Sequence, residues 1–151
     1  MRKLNALSEL EKQAVVNKGL EEGVKIFIKA GKSAFQATKS KNPHNVAMAK
    51  KMAIKRGGGL AKSFSTFHRK KRTSAYAGFK RSTGGGIAHM VDRGTGERYT
   101  SRGFYRGSVS AGSPNTGSRF WTNAVQNNGT RAINELMDSV EKSIKKILNQ
   151  K

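Results

Sequence analysis

The chain has no cysteine among its 151 residues. A disulfide framework and a cysteine-based zinc site are therefore impossible. Acidic residues are scarce as well: Asp and Glu number 9 against 30 Lys and Arg, a formal net charge of +21. No apolar run approaches the roughly 20 residues that a membrane-spanning helix needs. The first residues, MRKLNALSELEKQ, turn polar too early for a secretion signal. The expectation is a chain made and used in a cytoplasm, or in a particle assembled there, with no membrane partner. His44, His68 and His89 are scattered without metal-ligand spacing, so neither a metal nor another cofactor is expected. Hydrophobic content, at 35%, is low for a globular chain.

The few acids are unevenly placed. Glu9, Glu11, Glu21 and Glu22 stand near the start, Glu135, Asp138 and Glu141 near the end, and only Asp92 and Glu97 between. From Glu22 to Asp92 run sixteen Lys and Arg residues and no carboxylate. A polyanion or an acidic protein is the natural partner of such a surface. The densest run is HRKKR at 68–72. Its Arg69, Lys70, Lys71 and Arg72, with Lys80 and Arg81 further on, are candidate contacts to DNA phosphates or to an acidic partner. The plainer reading is a solvated hairpin tip that blunts a sheet edge. Phe64, Phe67, Tyr76 and Phe79 interleave with these charges. They could stack on bases, or, at alternating strand positions, form the core face of the sheet.

Length fits one domain over 1–151, with a modest core made by the two ends. Residues 8 to about 39 read as a long helix. Ser8 and Glu11 form a capping box, and Leu20, Val24, Phe27, Ile28, Gly31 and Phe35 recur on one face. Gly19, Gly23 and Gly31 weaken helix propensity and imply close packing or a bend. A short helix is expected over 46–56. Strands are expected over Ser63–His68 and Ser74–Phe79, joined by a basic connection. GIAHMVDRG is a third apolar element, helix or strand, and 94–118 is a long Gly/Ser/Thr-rich loop. At the end, Ile133, Leu136, Met137, Val140, Ile144, Ile147 and Leu148 keep helical spacing. Glu141 and Lys145 make a favourable i,i+4 pair, and Gly129 interrupts the segment. The fold class is α+β: a long N-terminal helix and a C-terminal helix packed on a small antiparallel sheet.

Chemistry-bearing constellations are few. Asp92 and Glu97 flank a glycine turn beside Arg93 and Arg98, with no base, nucleophile or metal partner, so a structural turn is favoured over acid/base catalysis. The triplets Gly57–Gly59 and Gly84–Gly86 lack the spacing of a phosphate loop and read as two flexible breaks. Phe120 and Trp121 either anchor an interface or pin the loop to the core. Asn128-Gly129-Thr130 matches a glycosylation acceptor by chance.

The order of these elements carries a resemblance. A long amphipathic helix is followed by RGGGLAKSFSTFHRKKRTSAYAGFKR, then by His89-Met90-Val91-Asp92-Arg93-Gly94-Thr95, then by a loop ending in Arg119-Phe120-Trp121-Thr122-Asn123-Ala124, then by a helix to the end. This resembles the neck or tail-completion family of long-tailed bacteriophages, the minor tail protein Z-like group. The match spans residues 8 to 148 or so, through short motifs in order. The chain departs in having Asp92 where Glu is more usual, and Trp121 and Thr122 near an expected proline.

The resemblance implies a non-enzymatic virion component, assembled in the host cytoplasm. Such a protein forms a homo-oligomeric ring, often sixfold, between the head-closure connector and the tail terminator or tail tube. Genomic DNA would pass through its channel. Asp92, Gly94, Thr95, Arg98, Arg102 and Arg106 would then belong to a docking loop and its turn, with Asp92 anchoring the turn by accepting backbone N–H groups. A tail terminator is the near alternative. A free-standing nucleic-acid-binding protein is the alternative of another class.

Overall fold

The computed structural model describes residues 7–37, 59–69, 73–94, 99–105 and 118–150. The helix expected over 46–56 lies outside these residues, as do Lys70, Lys71, Arg72, Thr95, Arg98 and Arg106. Ser8 starts helix α1, Glu9–Ala37, through a reciprocal cap. The Ser8 N–H donates to the Glu11 carboxylate at 2.8 Å, and the Glu11 N–H donates to the Ser8 hydroxyl at 3.3 Å. Backbone donors that a helix start leaves orphaned are thereby satisfied.

A short helix, α2 (Gly59–Ser63), leads into strand β1 (Phe64–Arg69), which pairs antiparallel with β2 (Ser74–Phe79). Two 3-10 turns, Arg81–Thr83 and Gly85–Ile87, run into helix α3 (Ala88–Arg93). Beyond the loop come α4 (Phe120–Asn127) and α5 (Gly129–Leu148). The architecture is α+β, as the periodicities imply.

Two local readings shift and one is decided. Strand β1 starts after Ser63, because Ser63 closes α2: its hydroxyl donates to the Leu60 carbonyl at 2.7 Å and its carbonyl accepts the Lys80 N–H at 2.6 Å. GIAHMVDRG, open between helix and strand, is helical before Gly94, so Asp92 sits in a last helical turn. The C-terminal break falls at Asn128, and Gly129 instead begins α5.

The chain divides into two compact units. The first takes α1 up to Lys29, the closed end of the hairpin from Thr66 to Gly78, and the chain from Asn127 onward. Leu7, Val15 and Ile144 form a buried cluster, with Val140, Ile147 and Leu148 packed against it. Here α5 lies directly against the α1 backbone. A Cβ on Gly19 would fall 2.6 Å from Val140 Cγ2, and one on Gly23 would fall 2.9 Å from the Ala132 carbonyl oxygen. Close packing is thus what these glycines allow, and it offsets a propensity cost of about 1 kcal/mol each. The facing side of α5 is small too, with Ala132, Ser139 and Ser143 buried. Ile133 and Met137, expected on the buried face, are 62% and 59% exposed. The apolar arc of α5 is wider than the strip α1 covers, since Ile133 stands about 100° round the helix from Ala132.

The second unit takes Ala30–Ser65 and Phe79–Gln126. Its core is aromatic. The Phe64 ring lies 4.8 Å from Phe79 and 6.1 Å from Phe35, Phe120 and Trp121, centroid to centroid. Phe35 to Phe120 is 5.2 Å and Phe79 to Trp121 is 4.9 Å, in tilted or edge-on geometry. Such pairs contribute about 0.5–1.5 kcal/mol each beyond their area. Phe64 and Phe79 are therefore core residues, not a base-stacking platform. The two glycine clusters also meet: a Cβ on Gly84 would lie 2.9 Å from the Gly59 backbone. Gly59 and Gly84, read as parts of two flexible breaks, instead permit a backbone-to-backbone approach, with both at positive φ.

Candidate functional site

Asp92 joins two separate segments of the second unit. It is 5% exposed and sits at the end of α3. Its Oδ1 accepts the backbone N–H groups of Trp121 and Thr122 at 2.7 and 3.1 Å, and its Oδ2 accepts the Thr122 hydroxyl at 2.6 Å. These are first-turn donors of α4, so Asp92 caps a helix that begins well beyond it in sequence, its Trp121 donor standing 29 residues further on. A carboxylate there also meets the positive end of the α4 dipole.

The backbone reinforces the junction. The Val91 carbonyl accepts both the N–H and the hydroxyl of Ser118 at 3.0 Å, and the Asp92 carbonyl accepts the Arg119 N–H at 2.8 Å. Arg119 reaches this position with φ +52°, a left-handed conformation uncommon outside glycine. Both ends of the long loop are thus bonded together at its base. The expectation that Asp92 accepts backbone N–H groups holds. Their location differs, because the acceptor reaches across the loop rather than closing a local turn.

Of the segment expected as a long loop, 95–98 and 106–117 lie outside the described residues; 99–105 form a turn of their own, the aromatic tip. Tyr99 and Tyr105 face each other as an antiparallel bridge, their rings 5.5 Å apart. The Thr100 N–H donates to the Phe104 carbonyl at 2.8 Å and the Gly103 N–H to the Thr100 carbonyl at 2.9 Å. The Thr100 hydroxyl accepts the N–H groups of Arg102 and Phe104 at 3.3 and 3.0 Å. Gly103, at φ +77°, supplies the left-handed residue that the turn needs. Tyr99, Phe104 and Tyr105 stay exposed, as does Arg102. Three exposed aromatic side chains and an exposed arginine in one turn make a surface suited to protein contact.

Of the expected basic contact residues, Arg69 ends β1, and Lys80 and Arg81 follow β2. Lys80 is brought beside α2 by its bond to Ser63. Lys62, Lys80 and Arg81 are exposed and make no ion pair among the described residues. Lys25, by contrast, bonds Glu22 at 2.8 Å, which raises its pKa.

Phe120 is 1% exposed inside the aromatic core, and Trp121 is half-buried against Phe64 and Phe79. Phe120 therefore belongs to the core, while Trp121 packs on that core and keeps part of its surface exposed. Gly94 ends α3 at φ +78°. Sequence reasoning alone does not single out Tyr99, Phe104, Tyr105 and Thr122. The signal for the tip is present in YTSRGFY, aromatics flanking a short turn with glycine.

Among the described residues no group of His, Asp or Glu is placed to hold a metal ion, and no helix is long and apolar enough to cross a membrane. Comparison with protein families, with curated proteins and with solved structures gives no match.

Proposed function

We propose that this chain is a structural, non-enzymatic component of a tailed-phage virion, a neck or tail-completion protein. In this reading it forms a homo-oligomeric ring at the joint between the DNA-filled head and the tail. One observation carries the reading. The two motifs on which the resemblance rests, His89–Thr95 and Arg119–Ala124, are separate in sequence, yet they meet through the Asp92 cap at 2.7 Å. They act as one device, which fixes the base of a long loop while its aromatic tip stays exposed. A loop held this way suits docking to a neighbouring ring, because a rigid base lowers the entropy cost of association. The basic surface around Lys62, Lys80 and Arg81 would face DNA in the channel or an acidic partner.

Labelling virions with an antibody against this chain tests the proposal. Label confined to the head–tail joint is the expected result, and absence of label from virions defeats it. The net charge of +21 favours a second reading, a free-standing nucleic-acid-binding protein. That protein would bind duplex or structured RNA tightly as a monomer, with a salt slope reflecting several phosphates. A ring component would bind weakly as a monomer.

A further inference from the structure

Among the described residues, exposed apolar side chains gather in two places, and the two differ in charge. One is the tip, where Tyr99, Phe104 and Tyr105 are 57%, 69% and 59% exposed in the same turn as the exposed Arg102. The other is the α5 stripe of Ile133 and Met137, one helical turn apart. Leu10, Tyr76 and Val125 are exposed singly, which is ordinary for a protein surface. Next to the Ile133–Met137 stripe, Asn134, Asp138 and Glu141 share the adjoining face of α5. Glu141 pairs with Lys145 at 2.6 Å, and Asp138 makes no ion pair among the described residues. In a chain of net charge +21, Asp138 thus sets an unpaired negative charge, among the described residues, beside these apolar side chains.

We propose that the tip of one copy docks on the α5 stripe of a second copy. The aromatic rings cover Ile133 and Met137, and Arg102 lies beside Asp138. The surfaces are unlike, so the contact is heterologous: each copy offers its tip to one neighbour and its α5 to another. Such a contact closes into a ring or runs on as a filament. The inference rests on the ring reading above and names the surfaces that build the ring. At about 200 Å² per aromatic side chain, the three rings expose on the order of 400 Å². A stable pair of proteins commonly buries about 800 Å² on each partner. One tip contact is therefore weak alone. A subunit in a closed ring makes two, and closure makes the last contact intramolecular.

The absence of native cysteine makes the test clean. A Phe104→Cys/Met137→Cys variant of the full chain is treated with a short bismaleimide. A ladder of covalent oligomers is expected on a denaturing gel. Each single variant should stay monomeric on the gel, because the residue facing its cysteine holds no thiol, and a mixture of the two single variants should yield heterodimers only. In parallel, Ile133→Ser/Met137→Ser should weaken self-association by about tenfold, as expected when two partly exposed apolar side chains are replaced by polar ones. Its circular dichroism should be unchanged, since both side chains lie outside the core. A cross-linked monomer would mean that the tip folds on its own chain and overturns the proposal. A wild-type ring whose double variant fails to cross-link overturns this contact and leaves the ring reading standing. A chain that is monomeric at every concentration overturns both.

Discussion

Replacing Asp92 with Ala removes the acceptor for three hydrogen bonds, two from backbone N–H groups and one from the Thr122 hydroxyl. Loss of a helix cap costs about 0.5–2 kcal/mol. Leaving buried donors without a partner adds about 1–3 kcal/mol. These terms overlap, since the donors are those the cap satisfied, so the expected loss is about 3 kcal/mol. That is a large share of the ~5–15 kcal/mol by which domains are stable. Asp92→Asn is the informative companion. Its amide oxygen still accepts the two N–H groups, and the Thr122 hydroxyl can rotate to accept from the amide nitrogen. Only the charge is removed, at about 1 kcal/mol. The assay is urea unfolding followed by fluorescence of Trp121, the sole tryptophan, whose own N–H is one of the donors. An Ala variant within about 0.5 kcal/mol of wild type, the range of a neutral surface change, would refute the capping role. Equal losses in Ala and Asn would refute the assignment of most of the effect to the missing acceptor.

Further perturbations separate the other parts. Gly31→Ala places a Cβ 2.7 Å from the Trp121 ring and 3.0 Å from Phe64; a loss of about 1–3 kcal/mol is expected in the same urea assay. Gly23→Ala drives a Cβ to 2.9 Å from the Ala132 backbone oxygen, so it should destabilise despite alanine's better helix propensity, as a melting curve would show. Deleting residues within 100–116 should leave a folded chain, because the bonds of Asp92 to Trp121 and Thr122 remain, but should block head–tail joining in a complementation assay. Lys80→Ser/Arg81→Ser and Lys70→Ser/Lys71→Ser/Arg72→Ser should act independently on polyanion binding, with the salt slope falling by about 1 for each phosphate no longer neutralised.

Local signals in the sequence are legible where one short segment decides the outcome. The Ser8–Glu11 box needs only its own four residues, and it forms as the spacing implies. β2 spans Ser74–Phe79 as expected, and Glu141 pairs with Lys145. What stays hidden depends on partners distant along the chain. Asp92 is identifiable as an acceptor of backbone N–H groups, but nothing near it in sequence points to Trp121 and Thr122. Ile133 and Met137 keep the helical period, yet period alone says which side is apolar and not how much of it a neighbour covers. Phe120 can be assigned to core or interface only once Phe35, Phe64 and Phe79 are placed around it. The glycine triplets are ambiguous for the same reason: close approach is a property of two segments, and Gly59 with Gly84 is such a pair.

The most direct measurement is negative-stain microscopy of phage particles assembled without this protein. Filled heads and finished tails lying apart is the result the account expects. Tails of uncontrolled length would move the protein to the tail terminator. Normal joined virions would contradict the account and return the charge of +21 to a nucleic-acid-binding role.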